Sequence, residues 1–73
     1  MVLNFVASFP VRTAERHGRM CRESELQYRF LAQYFRHLGD RKRMVDARNG
    51  AKKCRAVYLQ IENEFRLGNG YFR

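Results

Sequence analysis

Five apolar residues in the C-terminal third of the chain recur at the spacing of an α-helix. They lie at offsets of 0, 3, 4, 7 and 11 and are Cys54, Val57, Tyr58, Ile61 and Phe65. Successive residues turn by about 100° around a helix, so all five share one narrow face. The pattern predicts a final helix over residues 51–67 whose apolar face packs into the core.

Cationic residues crowd the N-terminal side of this predicted helix. The chain has a formal net charge of +8, and twelve of its fifteen cationic residues are arginine. Clustered positive charge indicates an anionic partner, namely nucleic acid, an acidic protein face or a membrane surface, although a solvated surface is the alternative interpretation. The predicted partner-binding cations are Arg41, Lys42, Arg43, Arg48, Lys52, Lys53 and Arg55.

Leu59 completes this candidate binding set. It lies opposite the predicted core stripe, on a mixed face with Ala56, Asn63 and Leu67. An apolar centre beside basic side chains suits a protein partner with an acidic rim, because the charges steer the encounter and the apolar contact binds. The alternative is that Leu59 packs beneath the N-terminal arm.

Two more helices are predicted before the last one. Residues 24–27 read S-x-x-Q, a capping box that starts a central helix over residues 24–38, closed by Gly39. Its apolar residues cover more than half its circumference, which predicts burial on two sides, by the N-terminal segment and by the last helix. The alternative is that Tyr28 or Phe35 is exposed for a partner. Asp40 then caps a short helix over residues 41–48, which Asn49-Gly50 ends.

The chain ends are less regular. Residues 2–6 suit a short strand or an extended lead-in, and Ser8 could cap a helix that Gly18 ends. The tail, residues 71–73, either folds back or stays loose. The fold class is therefore mainly α: a small three-helix domain with an extended or partly helical N-terminal arm. The single domain comprises the arm (1–22), a helical core (23–67) and a tail (68–73).

No catalytic constellation is recognisable in the sequence. Glu62 and Glu64 point in different directions on a helix, which predicts surface carboxylates rather than an acid and base pair. The four residues that could be considered for zinc have no recognised ligand spacing; they are His17, Cys21, His37 and Cys54. We therefore expect no enzyme, no cofactor, no metal and no small-molecule substrate. We also expect reduced thiols, a cytoplasmic location and no membrane partner, since no signal or spanning segment is visible.

A helix-turn-helix over residues 42–61 is the alternative functional interpretation. The glycine turn permits it, and a second helix starting at Ala51 would offer Lys52, Lys53 and Arg55 to a DNA groove. Asp46 and Leu59 argue against it, because small apolar and polar residues respectively are usual at those positions. This interpretation describes a small basic DNA-binding repressor or accessory protein.

In length, arginine-rich charge and lack of a catalytic motif, the chain resembles the small basic proteins with which lytic bacteriophages regulate host RNA polymerase. Arg41, Arg43, Arg48 and Arg55 carry the charge part of this resemblance. The resemblance implies a non-enzymatic transcription regulator that inhibits initiation by displacing sigma factor, prevents termination, or does both. It also implies contact with the polymerase beta and beta-prime subunits, and nascent RNA or DNA as further partners. An inhibitor of another acidic host protein is a third class.

Overall fold

The computed structural model describes residues 11–73, which form an antiparallel pair of α-helices followed by a folded tail. Helix α1 spans Val11–Leu38 and helix α2 spans Arg41–Glu64. The antiparallel order is evident from two contacts: Tyr58 on α2 hydrogen-bonds Glu25 on α1, and the ring of Tyr28 lies against Gly50 nearer the turn. The described residues form an elongated body of 42 × 23 × 17 Å.

The turn between the helices is specified by two residues. Gly39 adopts φ +76°, a left-handed conformation that glycine reaches without a Cβ penalty. The backbone amides of Gly39 and Asp40 donate to the carbonyls of Arg36 and Phe35, which satisfies the end of α1. The Asp40 carboxylate then accepts from the Arg43 amide at 3.2 Å and caps α2. The predicted roles of Gly39 and Asp40 are confirmed.

The prediction of separate helices over residues 41–48 and 51–67 is wrong. Asn49-Gly50 lies inside one continuous helix, so the described residues contain two helices rather than three. A glycine inside a helix costs about 1 kcal/mol relative to alanine, and packing of Tyr28 against Gly50 offsets that cost. The helix-turn-helix over residues 42–61 is wrong for the same reason, because no turn separates its two halves.

Helix α1 also differs from the prediction. It is helical from Val11, so residues 11–22 form its first turns, Gly18 does not end it, and Ser24 lies in its interior rather than at a cap. Tertiary packing explains why Gly18 is tolerated, since the ring of Phe72 lies directly against it. The expected strand or lead-in at residues 2–6 and the expected cap at Ser8 lie outside the described residues.

The core occupies the end of the hairpin away from the turn. Its buried apolar residues are Ala14, Tyr58, Ile61 and Phe72, and Val57 and Phe65 pack partly buried against them. Four of the five residues of the predicted stripe on α2 therefore contribute to the core. Nearer the turn, the helices meet through the small residues Ala32, Ala47 and Ala51, which are all buried.

The tail folds back on this core. Helix α2 ends at Glu64, three residues earlier than predicted, and turns carry the chain to Phe72. The carboxylate of Glu62 accepts hydrogen bonds from the amides of Gly70 at 3.4 Å and Phe72 at 3.1 Å. Glu62 is buried, so the prediction that it is a surface carboxylate is wrong. Its side chain holds the tail because it satisfies two backbone amides.

The prediction that residues 24–38 are buried by the last helix is confirmed on the side that α2 covers, where Glu25 and Ala32 are buried. Of the N-terminal segment predicted to cover the other side, residues 11–22 belong to α1 itself and residues 1–10 lie outside the described residues. Helix α2 covers one side of α1, and several large apolar side chains on the rest of α1 are exposed.

Candidate cationic groove

A groove of about 430 Å³ runs between the two helices in the half of the hairpin nearer the turn. Both helices contribute to it, and its lining combines cations, small apolar residues and one carboxylate. The lining residues are Glu25, Arg29, Ala32, Gln33, Arg36, Met44, Arg48, Ala51, Lys52 and Arg55.

Five cations line the groove, and helical spacing places them there. Arg48, Lys52 and Arg55 stand at offsets of 0, 4 and 7 on α2, so they share one flank of that helix. Arg29 and Arg36 stand seven residues apart on α1 and share the flank that faces them. Neighbours four residues apart are separated by about 6 Å along the helix axis, so the groove presents closely spaced positive charges along both walls.

Glu25 is the one carboxylate in the groove lining, and its charge is used inside the protein. It is buried, and it accepts a hydrogen bond from the Tyr58 hydroxyl at 2.7 Å. It also forms ion pairs with Arg22 and, at 2.8 Å, with Arg29. These four residues form a network that joins the middle of α1 to α2.

The network perturbs the pKa values of its acidic members. Burial raises the pKa of Glu25, but the hydrogen bonds from Tyr58 and Arg22 and the charges of Arg29 and Arg22 outweigh it, so the net pKa lies below the ordinary carboxyl value. Burial and the hydrogen bond to the Glu25 carboxylate raise the pKa of Tyr58. Glu25 is therefore an ionised structural group, because its oxygens already accept from three donors.

The remaining groove cations have no such partner. In residues 11–73, no carboxylate lies within salt-bridge distance of Arg36, Arg48, Lys52 or Arg55. Five cations against one carboxylate leave four uncompensated positive charges in the groove. Guanidinium and ammonium groups bind carboxylates and phosphates, so the groove is equipped to hold an anionic ligand.

The interior of the groove is not uniformly polar. Ala32 and Ala51 are buried and Met44 is half-buried, and all three contribute apolar surface between the two rows of cations. A site with charged walls and an apolar floor matches a ligand that has both acidic and apolar groups.

Three of the eight residues predicted to bind a partner lie in this groove: Arg48, Lys52 and Arg55. Arg41, Lys42 and Lys53 are exposed but do not line it.

Arg43 and Leu59, also in the predicted set, are engaged within the protein. Arg43 pairs with Asp40 at 3.4 Å and lies over the ring of Phe35. Leu59 is half-buried and packs against the core.

Sequence reasoning missed the contribution of α1. Arg29 and Arg36 complete the groove, and Glu25 organises it. The signal was present, since Arg22, Glu25 and Arg29 have the i+3 and i+4 spacing of helical ion pairs. This spacing was not recognised because Ser24 was predicted to cap the helix. A helix that starts at residue 24 does not include Arg22.

Among residues 11–73, no three potential metal ligands come together. The Sγ of Cys21 lies 3.8 Å from Nε2 of His17, so this pair shares one helix face as its spacing requires. Within the same residues, neither helix combines the length and the hydropathy needed to cross a membrane.

Comparison of the chain with models of protein families, with curated proteins and with solved structures finds no match.

Proposed function

We propose that this protein is a non-enzymatic binding module whose cationic groove holds an acidic segment of a protein partner. The observation that carries the proposal is the set of four uncompensated charges between α1 and α2. The apolar floor favours a protein segment over bare phosphates. Apolar side chains of a protein can pack against this floor, whereas a nucleic-acid backbone has no such groups. The charged walls attract and orient the partner, and the floor retains it.

The partner that we propose is bacterial RNA polymerase. The choice of polymerase rests on the resemblance to small basic phage regulators of host transcription, and the groove supplies the chemistry of contact. In this proposal the protein acts in the cytoplasm of the bacterial host. It occupies an acidic surface of the enzyme, on the beta or beta-prime subunit, and thereby inhibits initiation, prevents termination, or does both.

The experiment compares two variants that lose the same charge. The groove variant carries Arg36→Gln, Arg48→Gln and Lys52→Gln, and the control variant carries Arg41→Gln, Lys42→Gln and Lys53→Gln. Glutamine keeps a long polar side chain and a good helix propensity, so both variants should fold. Binding to purified polymerase holoenzyme is measured by surface plasmon resonance over a range of salt concentrations, together with promoter-dependent transcription in vitro.

We expect the wild-type chain to bind polymerase and to inhibit transcription, with association that slows as salt increases. The groove variant should associate roughly tenfold more slowly or worse, with a flatter salt dependence, whereas the control variant should resemble wild type. A high concentration of the groove variant should restore inhibition because the apolar contacts remain.

Three outcomes contradict the proposal. Equal defects in the two variants would show that overall charge, rather than the groove, determines binding. If the protein does not bind polymerase, polymerase is excluded as its partner. If, in addition, the groove variant captures partners from bacterial lysate as well as wild type does, the proposal of an acidic protein partner fails. Tight, salt-sensitive binding to duplex DNA or RNA that depends on the groove would replace the protein partner with nucleic acid.

A further inference from the structure

The outer face of α1 carries a row of large apolar side chains that α2 does not cover. Leu26, Phe30, Tyr34 and Leu38 stand four residues apart and are 48%, 72%, 51% and 62% exposed. Leu26 and Phe30, with Gln27 and Leu31, also line a shallow depression. Contiguous apolar surface of this kind marks an interaction site in a soluble protein.

The row is uncharged on a strongly cationic chain. Between Leu26 and Leu38 the two charged residues are Arg29 and Arg36, and both lie in the groove against α2. The outer face therefore excludes the charge that dominates the rest of a molecule of net charge +8. His37 shares this face and is counted as neutral in the net charge, so the face offers an acidic or nucleic-acid partner no arginine or lysine. A second copy of this chain would dock most easily at such a face, because like charges repel elsewhere.

The row is also symmetric about one residue. Read from either end it gives leucine, aromatic, aromatic, leucine, with its midpoint at Ala32. Ala32 is buried against α2, and at about 100° per residue Phe30 and Tyr34 each lie roughly 160° around the helix from it. The four side chains are thus arranged symmetrically on the side of α1 that faces away from α2.

We propose that the protein forms a two-fold symmetric dimer through this face, with the two α1 helices antiparallel. A two-fold interface needs a surface that complements itself. Antiparallel pairing about position 32 places Phe30 of one copy against Tyr34 of the other, and Leu26 against Leu38. The central aromatic pair and the outer leucine pairs are each repeated by symmetry, and aromatic residues at the centre of an interface contribute strongly to its stability.

Dimerisation and the proposed groove function respond oppositely to salt. Two copies of net charge +8 repel each other, so screening by salt should tighten the dimer. Binding of an acidic partner in the groove should weaken under the same change. The inference is thus independent of the proposed function, and the salt response shows which of the two fails.

The test uses analytical ultracentrifugation of the full chain over a wide range of protein concentrations. The wild type should shift from its monomer mass of 8.8 kDa to twice that mass. Phe30→Lys and Tyr34→Glu should each weaken dimerisation by roughly a hundredfold, because symmetry places each substitution at two contacts. Val45→Lys, at an exposed apolar residue on α2, is the matched control and should dimerise as wild type. Circular dichroism confirms that the variants fold.

Mixing tests the direction of pairing. Combining the Phe30→Lys chain with the Tyr34→Glu chain places lysine opposite glutamate at one contact and leaves the other contact native, so the mixture should dimerise better than either chain alone. Parallel helices would pair like positions and show no such rescue.

Four outcomes overturn the inference. A wild-type chain that remains monomeric, as expected if residues 1–10 or another protein cover the face, overturns it. So does a Phe30→Lys or Tyr34→Glu chain that dimerises normally, a Val45→Lys chain that does not, or a mixture without rescue.

Discussion

At the scale of single residues, Glu25 connects the stability of the hairpin to its candidate site. Its carboxylate accepts hydrogen bonds from Tyr58 on α2 and from Arg22 and Arg29 on its own helix. A buried charge is tolerated when it is paired and hydrogen-bonded. This pairing neutralises one groove arginine and leaves the other four groove cations without a carboxylate, so the residue that joins the helices also sets the net charge of the groove.

Replacing Glu25 tests this network. Glu25→Gln keeps the size of the side chain but removes its charge, and we expect a loss of about 1–3 kcal/mol in the free energy of unfolding at pH 7. Urea denaturation followed by circular dichroism measures it. Tyr58→Phe removes one bond of the same network and should be less destabilising than the loss of the charge.

The pH dependence of stability gives a second measure of Glu25. Its pKa in the folded state lies below the ordinary value of 4.5, so the native state favours the ionised form. Its contribution is complete above that value and is lost as the pH falls through the lowered folded-state pKa. In urea denaturation between neutral and acidic pH, the free energy of unfolding should therefore fall less steeply with decreasing pH for Glu25→Gln than for wild type. The same pH dependence in both proteins would show that the ionised Glu25 carboxylate does not stabilise the fold.

Ile61 tests the core predicted from the helical stripe. Its side chain is completely buried beside Tyr58 and Phe72, so Ile61→Ala should cost about 2–5 kcal/mol. In a domain of this size that loss could exceed the total stability. Thermal denaturation measures this loss, and an unchanged melting temperature would contradict the burial of Ile61 in the core.

At the scale of elements, the turn between the two helices was predicted correctly from the sequence and the helix interiors were not. Gly39 and Asp40 were predicted correctly because their roles depend on local backbone geometry and on hydrogen bonds within one turn. Gly18 and Asn49-Gly50 were predicted as helix ends, yet both lie inside helices. Their helical state depends on aromatic rings contributed by distant residues, Phe72 and Tyr28, and local propensity contains no information about those contacts.

The contact between Gly18 and Phe72 leads to a prediction that distinguishes packing from propensity. Alanine normally stabilises a helix interior relative to glycine by roughly 0.5–1 kcal/mol. A Cβ at position 18 would overlap the Phe72 ring, so Gly18→Ala should destabilise the protein by about 1–3 kcal/mol through overpacking.

The control for this prediction is a double variant. In a Phe72→Ala background the ring is absent, so Gly18→Ala should become stabilising. A double-mutant cycle by urea denaturation measures the coupling. Additive effects of the two substitutions would show that Phe72 does not pack on Gly18.

At the scale of the whole molecule, charge opposes folding. The four groove cations without carboxylate partners repel one another across a narrow space, while the chain carries a net charge of +8. Self-repulsion of this kind destabilises a compact state and is reduced by salt.

The groove variant tests whether these charges destabilise the fold. Removing three groove charges through Arg36→Gln, Arg48→Gln and Lys52→Gln should raise the melting temperature at low salt by about 2–4 °C, which corresponds to roughly 0.5 kcal/mol in a domain of this size. The difference should shrink as sodium chloride increases. A groove variant that melts below wild type at low salt would indicate that these cations make stabilising contacts within the fold.

The candidate site could be predicted in part. The α2 half of the groove follows from the local spacing of Arg48, Lys52 and Arg55. The α1 half could not be identified before α1 was known to pass beside α2, since Arg29 and Arg36 join the site only through the long-range pairing of the helices. The outer face of α1 was visible in the sequence as excess apolar residues, but the sequence does not state that α2 leaves it open.

The two glycines that face aromatic rings also set the register of the hairpin. Tyr28 lies on Gly50 midway along α2, and Phe72 lies on Gly18 toward the open end of the hairpin. Sliding one helix past the other by a single turn, about 5.4 Å, would bring a larger residue under each ring. Four uncharged residues thereby determine which cations of α1 stand opposite which cations of α2. In the proposed function, the spacing of acidic groups that a partner must present is thus set by residues outside the groove lining.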